Sequence, residues 1–528
     1  MRAKTKINAS NIIFIGSGIS SSFTIIHFLD HLLKIRIQKE LKLTIIDKYK
    51  EFHTGIPYGE RSGSSVLLIT SLKNFLPLSI LQDFLIWLTI HKDSLIQEFR
   101  SNGGKLANEW IETNTNSIKH NKWEELYIPR RFFGRYIDEL VRSKINESIS
   151  KGIIAVDYIM KEVIDVEKTN RKYTIFLNSG ETIYSEKVIL SIGSLPVKYL
   201  WKHQSCIEEE HLLFINNPYC PDLSTVLNKI NTFIKNKENQ NINVLIVGAN
   251  ASGLEMLYKL NDVKEIESEI NKFLMLSIQG LLPDTIINEE KRKKYKPHYL
   301  EALKKESHIT AKLIADATFK DLDRADQINL GAASTVEIVS KAFGSLLERL
   351  DETELKEFAC LYGNKIGRRQ RCAGYHYFRT AQNLHNQNKF QHIAGRFENI
   401  TQNSKNDYLL EYLDTCTNTN RIHDDTIQIV INCIGSTTLY NDDIPQLLKN
   451  LMNKGFCVKN NSNIGFDVNE KLEAQDNFHI IGPLVAGNII EGKAVWHLEH
   501  CGRIIWLSKL LAEKMGQYFS QKQEVINE

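Results

Sequence analysis

The chain has 528 residues, 42% of them hydrophobic, which is long enough for several domains and apolar enough to fill their cores, so wholesale disorder is excluded. Lys and Arg number 66 against 63 Asp and Glu, and a net charge of +3 demands neither a nucleic acid nor an anionic membrane as partner. No run approaches the ~20 apolar residues of a membrane span, and the eight cysteines are scattered with no Cys-x-x-Cys, so neither a metal site nor a redox-active dithiol is expected and a cytoplasmic, reducing location is.

The basic start, Met1-Arg2-Ala3-Lys4-Thr5-Lys6, lacks a signal-peptide core, because Gly16, Gly18 and the following serines interrupt the apolar run. That run, Ile12-Ile13-Phe14-Ile15, stops at Gly16-Ser17-Gly18, and the apolar-periodic segment Phe23, Ile26, Leu29 begins at once. This is the shape of a strand, a tight turn and a helix start. Its physical use is to hold a pyrophosphate on unpaired N–H groups at the positive end of a helix. The third glycine of the pattern is replaced by Ser21. A second buried strand, Leu43-Thr44-Ile45-Ile46, ends in Asp47, at the distance expected of an acid that accepts ribose hydroxyls.

Residues 52–59 read as a turn-rich loop, followed by the apolar Val66-Leu67-Leu68-Ile69. Helical patterns fill much of 79–150, with a break at 127–136, where Arg130, Arg131 and Arg135 stand beside aromatics. These arginines suit phosphate binding or a solvated helix face equally. Alternating strands surround the turn Asn178-Ser179-Gly180 and lead into Val188-Ile189-Leu190-Ser191-Ile192-Gly193-Ser194. The polar stretch 231–241 reads as a linker.

The opening pattern then returns as Val244-Leu245-Ile246-Val247-Gly248-Ala249-Asn250-Ala251-Ser252-Gly253, with Asn250 in place of a second glycine; asparagine tolerates unusual backbone angles. It closes at Val430-Ile431-Asn432-Cys433-Ile434-Gly435-Ser436, matching the motif at 188–194. Two turns and two closings in the same order make an internal repeat. The predicted fold is α/β, with two Rossmann-like dinucleotide-binding domains: 1–200 with 437–528, and 201–436 carrying a helix-rich insertion at about 287–390. A strand ending at Gly482 and a long helix from about 495 to 518 complete the chain.

The chain resembles the two-dinucleotide-binding-domain flavoproteins, and more narrowly the bacterial FAD/NAD(P)-binding family of the FAD-dependent urate hydroxylase and aspartate N-monooxygenase types. The likeness rests on Gly55-Ile56-Pro57-Tyr58-Gly59 with Leu67-Leu68, on Pro129-Arg130-Arg131-Phe132-Phe133-Gly134-Arg135-Tyr136, and on Gly193. Asn217-Pro218-Tyr219, Gly280-Leu281-Leu282-Pro283, Arg369-Gln370-Arg371 and Gly482-Pro483 add weaker support. The resemblance implies that Gly16, Ser17, Gly18, Ser20 and Ser21 cradle FAD, with Asp47 and Lys48 at the adenosine side. It places Tyr58, Gly59, Leu68, Arg131, Gly193 and Gly482 around the rest of FAD. Gly248, Asn250, Ser252, Gly253 and Gly435 fall to NADPH or NADH. Ser21 implies looser helix–strand packing. Ile69 stands where an asparagine is usual, and Ser277-Ile278-Gln279-Gly280 lacks arginines that grip a 2′-phosphate; Lys272 or the run 291–296 are candidates to compensate.

No catalytic triad or acid–base pair is evident, and a flavin enzyme needs none, since the cofactor carries the difficult chemistry. The function implied is an FAD-dependent, NAD(P)H-driven monooxygenase that uses O2 on a small nucleophilic substrate, an amine or amino acid. An NAD(P)H-dependent reductase or oxidase without oxygen insertion, and a non-catalytic flavin-binding regulator, stand as alternatives. Tyr58, Trp87, Trp496 and His497 are candidates for a wall that excludes water from the flavin. Arg130, Arg131, Arg369 and Arg371 are candidates to meet a substrate carboxylate.

Overall fold

The computed structural model describes residues 10–35, 40–169, 172–201, 211–237, 241–285 and 287–527. The basic start and residues 238–240 of the expected linker lie outside them. Two sheets organise the chain. Strands β1 (Ser10–Ile15), β2 (Leu41–Asp47), β3 (Ile154–Met160), β4 (Val163–Thr169), β5 (Lys172–Leu177) and β6 (Thr182–Leu190) enter the first. Strands β7 (Leu213–Ile215), β8 (Ile242–Val247), β9 (Ile270–Ser277), β10 (Phe390–Gln402), β11 (Tyr408–Asp414), β12 (Thr419–Thr426) and β13 (Ile429–Asn432) form the second. Strands β14 (Glu473–Gln475) and β15 (Phe478–Ile480) return to the first, whose order is β14-β15-β6-β1-β2-β3, with β4 and β5 as an antiparallel meander into β6.

The two sheets repeat one plan. In the first, β1 is flanked in parallel by β2 (Ile12↔Leu43) and β6 (Ile13↔Val188). In the second, β8 is flanked in parallel by β9 (Val244↔Phe273) and β13 (Val244↔Ile429). All of Ile12–Phe14 and Val244–Ile246 are fully buried, which is why these strands read as continuous apolar runs rather than alternations.

Helix α1 (Ile19–Ile35) follows β1 and packs against α4 (Cys501–Asn527) and α2 (Arg130–Ser150); helix α3 (Ala251–Asp262) follows β8. The helices between Glu289 and Arg369 carry a second hydrophobic cluster of their own around Leu300, Ile314, Phe343 and Phe358. Among the described residues no helix is long and apolar enough to cross a membrane, and no group of three metal-ligating side chains occurs.

Four local expectations change. Residues 231–235 belong to the helix Leu223–Lys235, which buries Phe233 and Ile234, so polar composition there marks a solvated face rather than a linker. The loop 52–59 contains the short helix Gly55–Tyr58. The break expected at 127–136 ends at Pro129, which caps α2, so Arg130 to Tyr136 are helical. The last helix starts at Cys501, because Lys493–Val495 pairs with Asn488–Ile490 in a hairpin.

Lys187 illustrates what patterning conceals. It is 2% exposed in β6 and donates to Asn477 Oδ1 (2.7 Å) and His479 Nε2 (2.8 Å), while His479 Nδ1 donates to the Lys471 carbonyl (2.9 Å). Burial pushes Lys187 down to about 8 and His479 down to about 3. Below pH 8 both folded and unfolded chains protonate Lys187, and the cost of burying its charge is fully present. Between about pH 8 and 10.5 the folded chain releases the proton first, so stability rises with pH. Over that interval the unfolding free energy of the wild type should gain about 2–3 kcal/mol relative to Lys187→Met, measured by denaturant unfolding at stepped pH.

Candidate dinucleotide sites

The first turn is held by backbone and by Asp47. Gly16 has φ +96° and its N–H donates to the Ile46 carbonyl (2.8 Å); a Cβ there would stand 2.5 Å from the Ser191 carbonyl oxygen. Only glycine meets both demands. Ser17 N–H and Ser17 Oγ each donate to Asp47 Oδ2 at 2.8 Å, and the Tyr49 N–H donates to Oδ1 at 3.0 Å. The carboxylate expected at a ribose is therefore also the group that fixes the turn.

Ser21 departs from the expectation of looser packing. Its hydroxyl is fully buried, donates to the Gly16 carbonyl at 2.6 Å and accepts from Ser191 Oγ. Two serines thus tie α1, the turn and the segment after β6 where glycine would leave bare contact.

Around this turn, Gly18 lies against Gly55, whose added Cβ would come 3.2 Å from the Gly18 Cα, and Gly482 (φ +86°) lies against Ser20. Next to that glycine contact, His53 Nδ1 and Thr54 Oγ1 are buried without a partner. Gly193 has φ +80° and open space where a side chain would be. The carboxyl ends of β1, β6 and β15 are thus lined by backbone and open glycines beside a helix N-terminus, the place where an open α/β sheet receives ligands. These residues fit the pyrophosphate of a dinucleotide.

Other expected site residues lie nearby but are engaged. Lys48 pairs with Glu162 (3.5 Å). Arg131 pairs with Glu51 (2.5 Å) and Glu60 (3.3 Å), and Gly59 abuts the Glu51 carboxylate. Tyr58 packs on Phe133 and Phe75, and burial raises its pKa. Leu68 is buried, its N–H bonded to the Ile128 carbonyl (2.9 Å), and the adjacent Leu67 exchanges bonds with the Tyr377 hydroxyl. The expected aromatic wall is not one wall. Trp87 stacks on His91 and donates to Glu139 (2.7 Å), whereas Trp496 packs on Gly363, Phe343 and Phe358 of the helical insertion.

The second turn copies the first. Gly248 has φ +112°, donates to the Leu276 carbonyl (2.8 Å), and a Cβ would come 2.3 Å from the Cys433 carbonyl oxygen. A Cβ on Gly253 would collide with the Gly248 carbonyl at 1.9 Å, so this third glycine is required by close packing. Asn250 is present for another reason than unusual angles. Its φ is −80°, and its side chain caps α3 by accepting from the Gly253 N–H (3.3 Å). Gly435 (φ +100°) stands beside it, a built Cβ lying 3.8 Å from Asn250 Nδ2. Ser252 is the second residue of α3.

The repeat locates the counterpart of Asp47. Gly16 binds Ile46 as Gly248 binds Leu276, so the residue after each corresponds: Asp47 in the first unit, Ser277 in the second. Ser277 Oγ donates to His392 Nε2 (2.8 Å), which burial holds neutral by pushing its pKa down to about 4. Three of the expected compensating cations are committed elsewhere. Lys272 pairs with Asp425 (2.6 Å), Lys291 donates to the Ile328 carbonyl (2.7 Å), and Arg292 pairs with Glu337 and Glu289.

The two carboxyl edges are joined over a few residues. Val197 bridges Ser436, Lys198 N–H donates to the Gly435 carbonyl (3.0 Å), and Thr437 N–H donates to the Pro196 carbonyl (2.7 Å). Gly193 and Gly435, the two closing glycines, therefore sit at opposite ends of one short connection.

Buried charges missed by sequence reasoning clamp the two units. Arg130, at the start of α2, pairs with Glu255 of α3, whose other oxygen accepts from the Tyr219 hydroxyl (2.5 Å). One turn on, Lys259 pairs with Asp262 (2.7 Å) and bonds Ser65, and Asp262 Oδ1 accepts the Ala107 N–H (3.1 Å). The spacing of Glu255, Lys259 and Asp262 along one helix face was the signal, since a helix behind a sheet has few reasons to bury three charges.

Comparison with known proteins agrees with this architecture. Residues 13–195 match the FAD-NAD(P)-binding family model. Uncharacterized proteins of Mycobacterium tuberculosis (Rv3403c) and Mycobacterium bovis (Mb3437c) are each 28% identical over 511 residues, covering 96% of this chain and 95% of theirs. Among solved structures, the reduced form of ornithine hydroxylase (PvdA) from Pseudomonas aeruginosa is similar in fold, with a TM-score of 0.53 at 10% identity over 97% of this chain and 99% of that one. So is FAD-bound DfoA, the cadaverine monooxygenase of Erwinia amylovora, with a TM-score of 0.50 at 9% identity over 96% and 95%.

Proposed function

We propose that this FAD- and NAD(P)-dependent oxidoreductase is a monooxygenase in which FAD lies on the turn at Gly16, NAD(P)H on the turn at Gly248, and a small amine is the substrate. The observation that carries the reading is the short connection between Gly193 and Gly435, which brings the carboxyl edges of the two sheets together. A hydride donor and acceptor need that adjacency. The amine follows the similar folds, one named for ornithine and one for cadaverine.

When bound, FAD supplies hydride acceptance and oxygen chemistry. The chain supplies position and electrostatics. Asp47 pre-forms the first turn through Ser17, so its N–H groups need little reorganisation to meet a pyrophosphate. At Ser277 no carboxylate stands to accept ribose hydroxyls from the second nucleotide, and none stands to repel a 2′-phosphate. One observation favours the regulator reading: Asn250 already caps the Gly253 N–H, a group that would otherwise be available to the second cofactor.

The test is an anaerobic titration followed by oxygen. Purified protein should carry flavin, and NADPH or NADH should bleach it. Admission of O2 with a panel of amines should give an oxygenated product rather than hydrogen peroxide alone. Protein without flavin affinity overturns the proposal, unbleached flavin favours the regulator, and peroxide as the only product with every amine favours the oxidase.

A further inference from the structure

The segment 66–69 is fastened from both units. On one side it pairs with the entry to α2. The Val66 carbonyl accepts from the Arg130 N–H (2.9 Å), the Leu68 N–H donates to the Ile128 carbonyl (2.9 Å), and Leu67 faces Pro129 in an antiparallel bridge. In that pairing the peptide groups of the middle residue point the other way. Leu67 is 0% exposed, so bulk water reaches neither its N–H nor its carbonyl, and both need a partner on the far side.

One atom supplies it. The Tyr377 hydroxyl donates to the Leu67 carbonyl (2.9 Å) and accepts from the Leu67 N–H (3.2 Å), using its capacity as donor and acceptor together. Tyr377 is fully buried, and burial raises its pKa, so the phenol keeps the proton it donates. Its ring stands edge-on to Tyr258 of α3, with 5.3 Å between centroids and 86° between planes, which fixes where the oxygen points. Helix Tyr375–Asn386, which carries Tyr377, and α3, which follows the Gly248 turn, both belong to the second unit.

Beyond Leu67 the chain emerges toward the first site. Leu68 is still buried, and Ile69 is half-buried. Farther along, Pro77 touches α4, a Cβ built on Gly502 lying 3.9 Å from its Cγ. Glu499, just before that helix, accepts from Ser194 Oγ (3.1 Å), beside Gly193. The stretch 66–77 therefore runs to the carboxyl edge of the first sheet, where the first dinucleotide turn lies.

We infer that Tyr377 is a positioning residue: its hydroxyl, brought by the second nucleotide unit, holds Leu67 and so sets where Leu68 and Ile69 meet the flavin. This rests on the proposed function, in which FAD occupies the first unit. One wall of that cofactor's site is then built by the unit that holds the hydride donor, and loosening the contact between units moves it.

The test is Tyr377→Phe in the full-length protein, which keeps the ring and removes one oxygen, with Ile69→Ala and the double variant beside it. Each is compared with wild type for flavin content, absorption and fluorescence of the bound flavin, hydrogen exchange of peptides spanning 66–72, and anaerobic flavin reduction over a range of NADPH and NADH. Tyr377→Phe should retain flavin, alter its bands and exchange the 66–69 amides about tenfold faster or more. It should slow reduction at saturating nucleotide about tenfold, with the half-saturating concentration changed less than about twofold. The double variant should be no slower than the slower single one, because both changes act through the same segment.

Wild-type flavin bands and a wild-type saturated rate in Tyr377→Phe, with only the melting temperature lowered, overturn the inference and leave the hydroxyl a structural bond. Multiplicative rate losses in the double variant overturn it too, since the two residues then act independently. If Tyr377→Phe does not fold, Ile69→Ala decides: altered bands with a slower saturated rate support the placement, and unchanged bands and rate overturn it. Failure of the proposed function is distinguishable. Wild-type protein without flavin affinity overturns that reading and the positioning role with it, whereas bound flavin indifferent to Tyr377 overturns the positioning role alone.

Discussion

Arg130→Met should lower the unfolding free energy by about 3–5 kcal/mol, because it leaves the Glu255 carboxylate buried with one charged partner removed. The side chains of Arg130 and Glu255 are 14% and 4% exposed, so solvent screens the pair little. Tyr219 supplies Glu255 with one hydrogen bond, which is too little to hold a lone anion out of water. The penalty belongs to the orphaned charge rather than to the pair. The double variant Arg130→Met with Glu255→Leu should therefore recover much of the loss, and a double-mutant cycle by urea unfolding measures both terms. Recovery absent in the double variant would show that the residues act through packing instead. Because α2 belongs to the first sheet's layer and α3 to the second's, the single variant should also loosen the two units relative to each other. Limited proteolysis of the connection at 194–198 reads that separately.

The architecture was legible where chemistry is local. Buried parallel strands appear as unbroken apolar runs, and Val188-Ile189 and Val430-Ile431 announced the closing strands because each ends at a glycine that turns with positive φ. The helical insertion was legible for the same reason, its period being written within each helix. What stayed hidden depends on partners distant in the chain. Arg130 meets Glu255 across 125 residues, Lys187 meets Asn477 across 290, and Ser21 meets Ser191 across 170. Composition offers no means of choosing among 63 carboxylates for each arginine. Asn250 was legible in type but not in mechanism. A short polar residue before a helix is a cap by default, and the glycine-pattern comparison drew attention to its backbone instead.

The second large effect distinguishes the two turns. Gly16→Ala should remove bound FAD, whereas Gly248→Ala should retain FAD and abolish its bleaching by NADPH and NADH. Each substitution forces a side chain into positive φ, +96° and +112°, and drives its Cβ into a carbonyl oxygen of the neighbouring closing strand's extension, 2.5 Å from Ser191 and 2.3 Å from Cys433. Backbone stands on the other side of each contact, so relief requires moving the turn rather than rotating a side chain. Positive φ alone costs roughly 1–2 kcal/mol, and the collision adds to it. A combined loss above about 3 kcal/mol corresponds to more than about a hundredfold in affinity. Flavin content per chain and the anaerobic rate of flavin reduction report the two turns independently. The reverse pattern, flavin lost with Gly248→Ala and kept with Gly16→Ala, would exchange the cofactors between the sheets. Loss of flavin in both would mean that the second turn acts through stability, and the melting temperature of each variant decides that case. The order of cofactors along the chain thus becomes measurable from two atoms, each a Cβ that the fold has no room to accept.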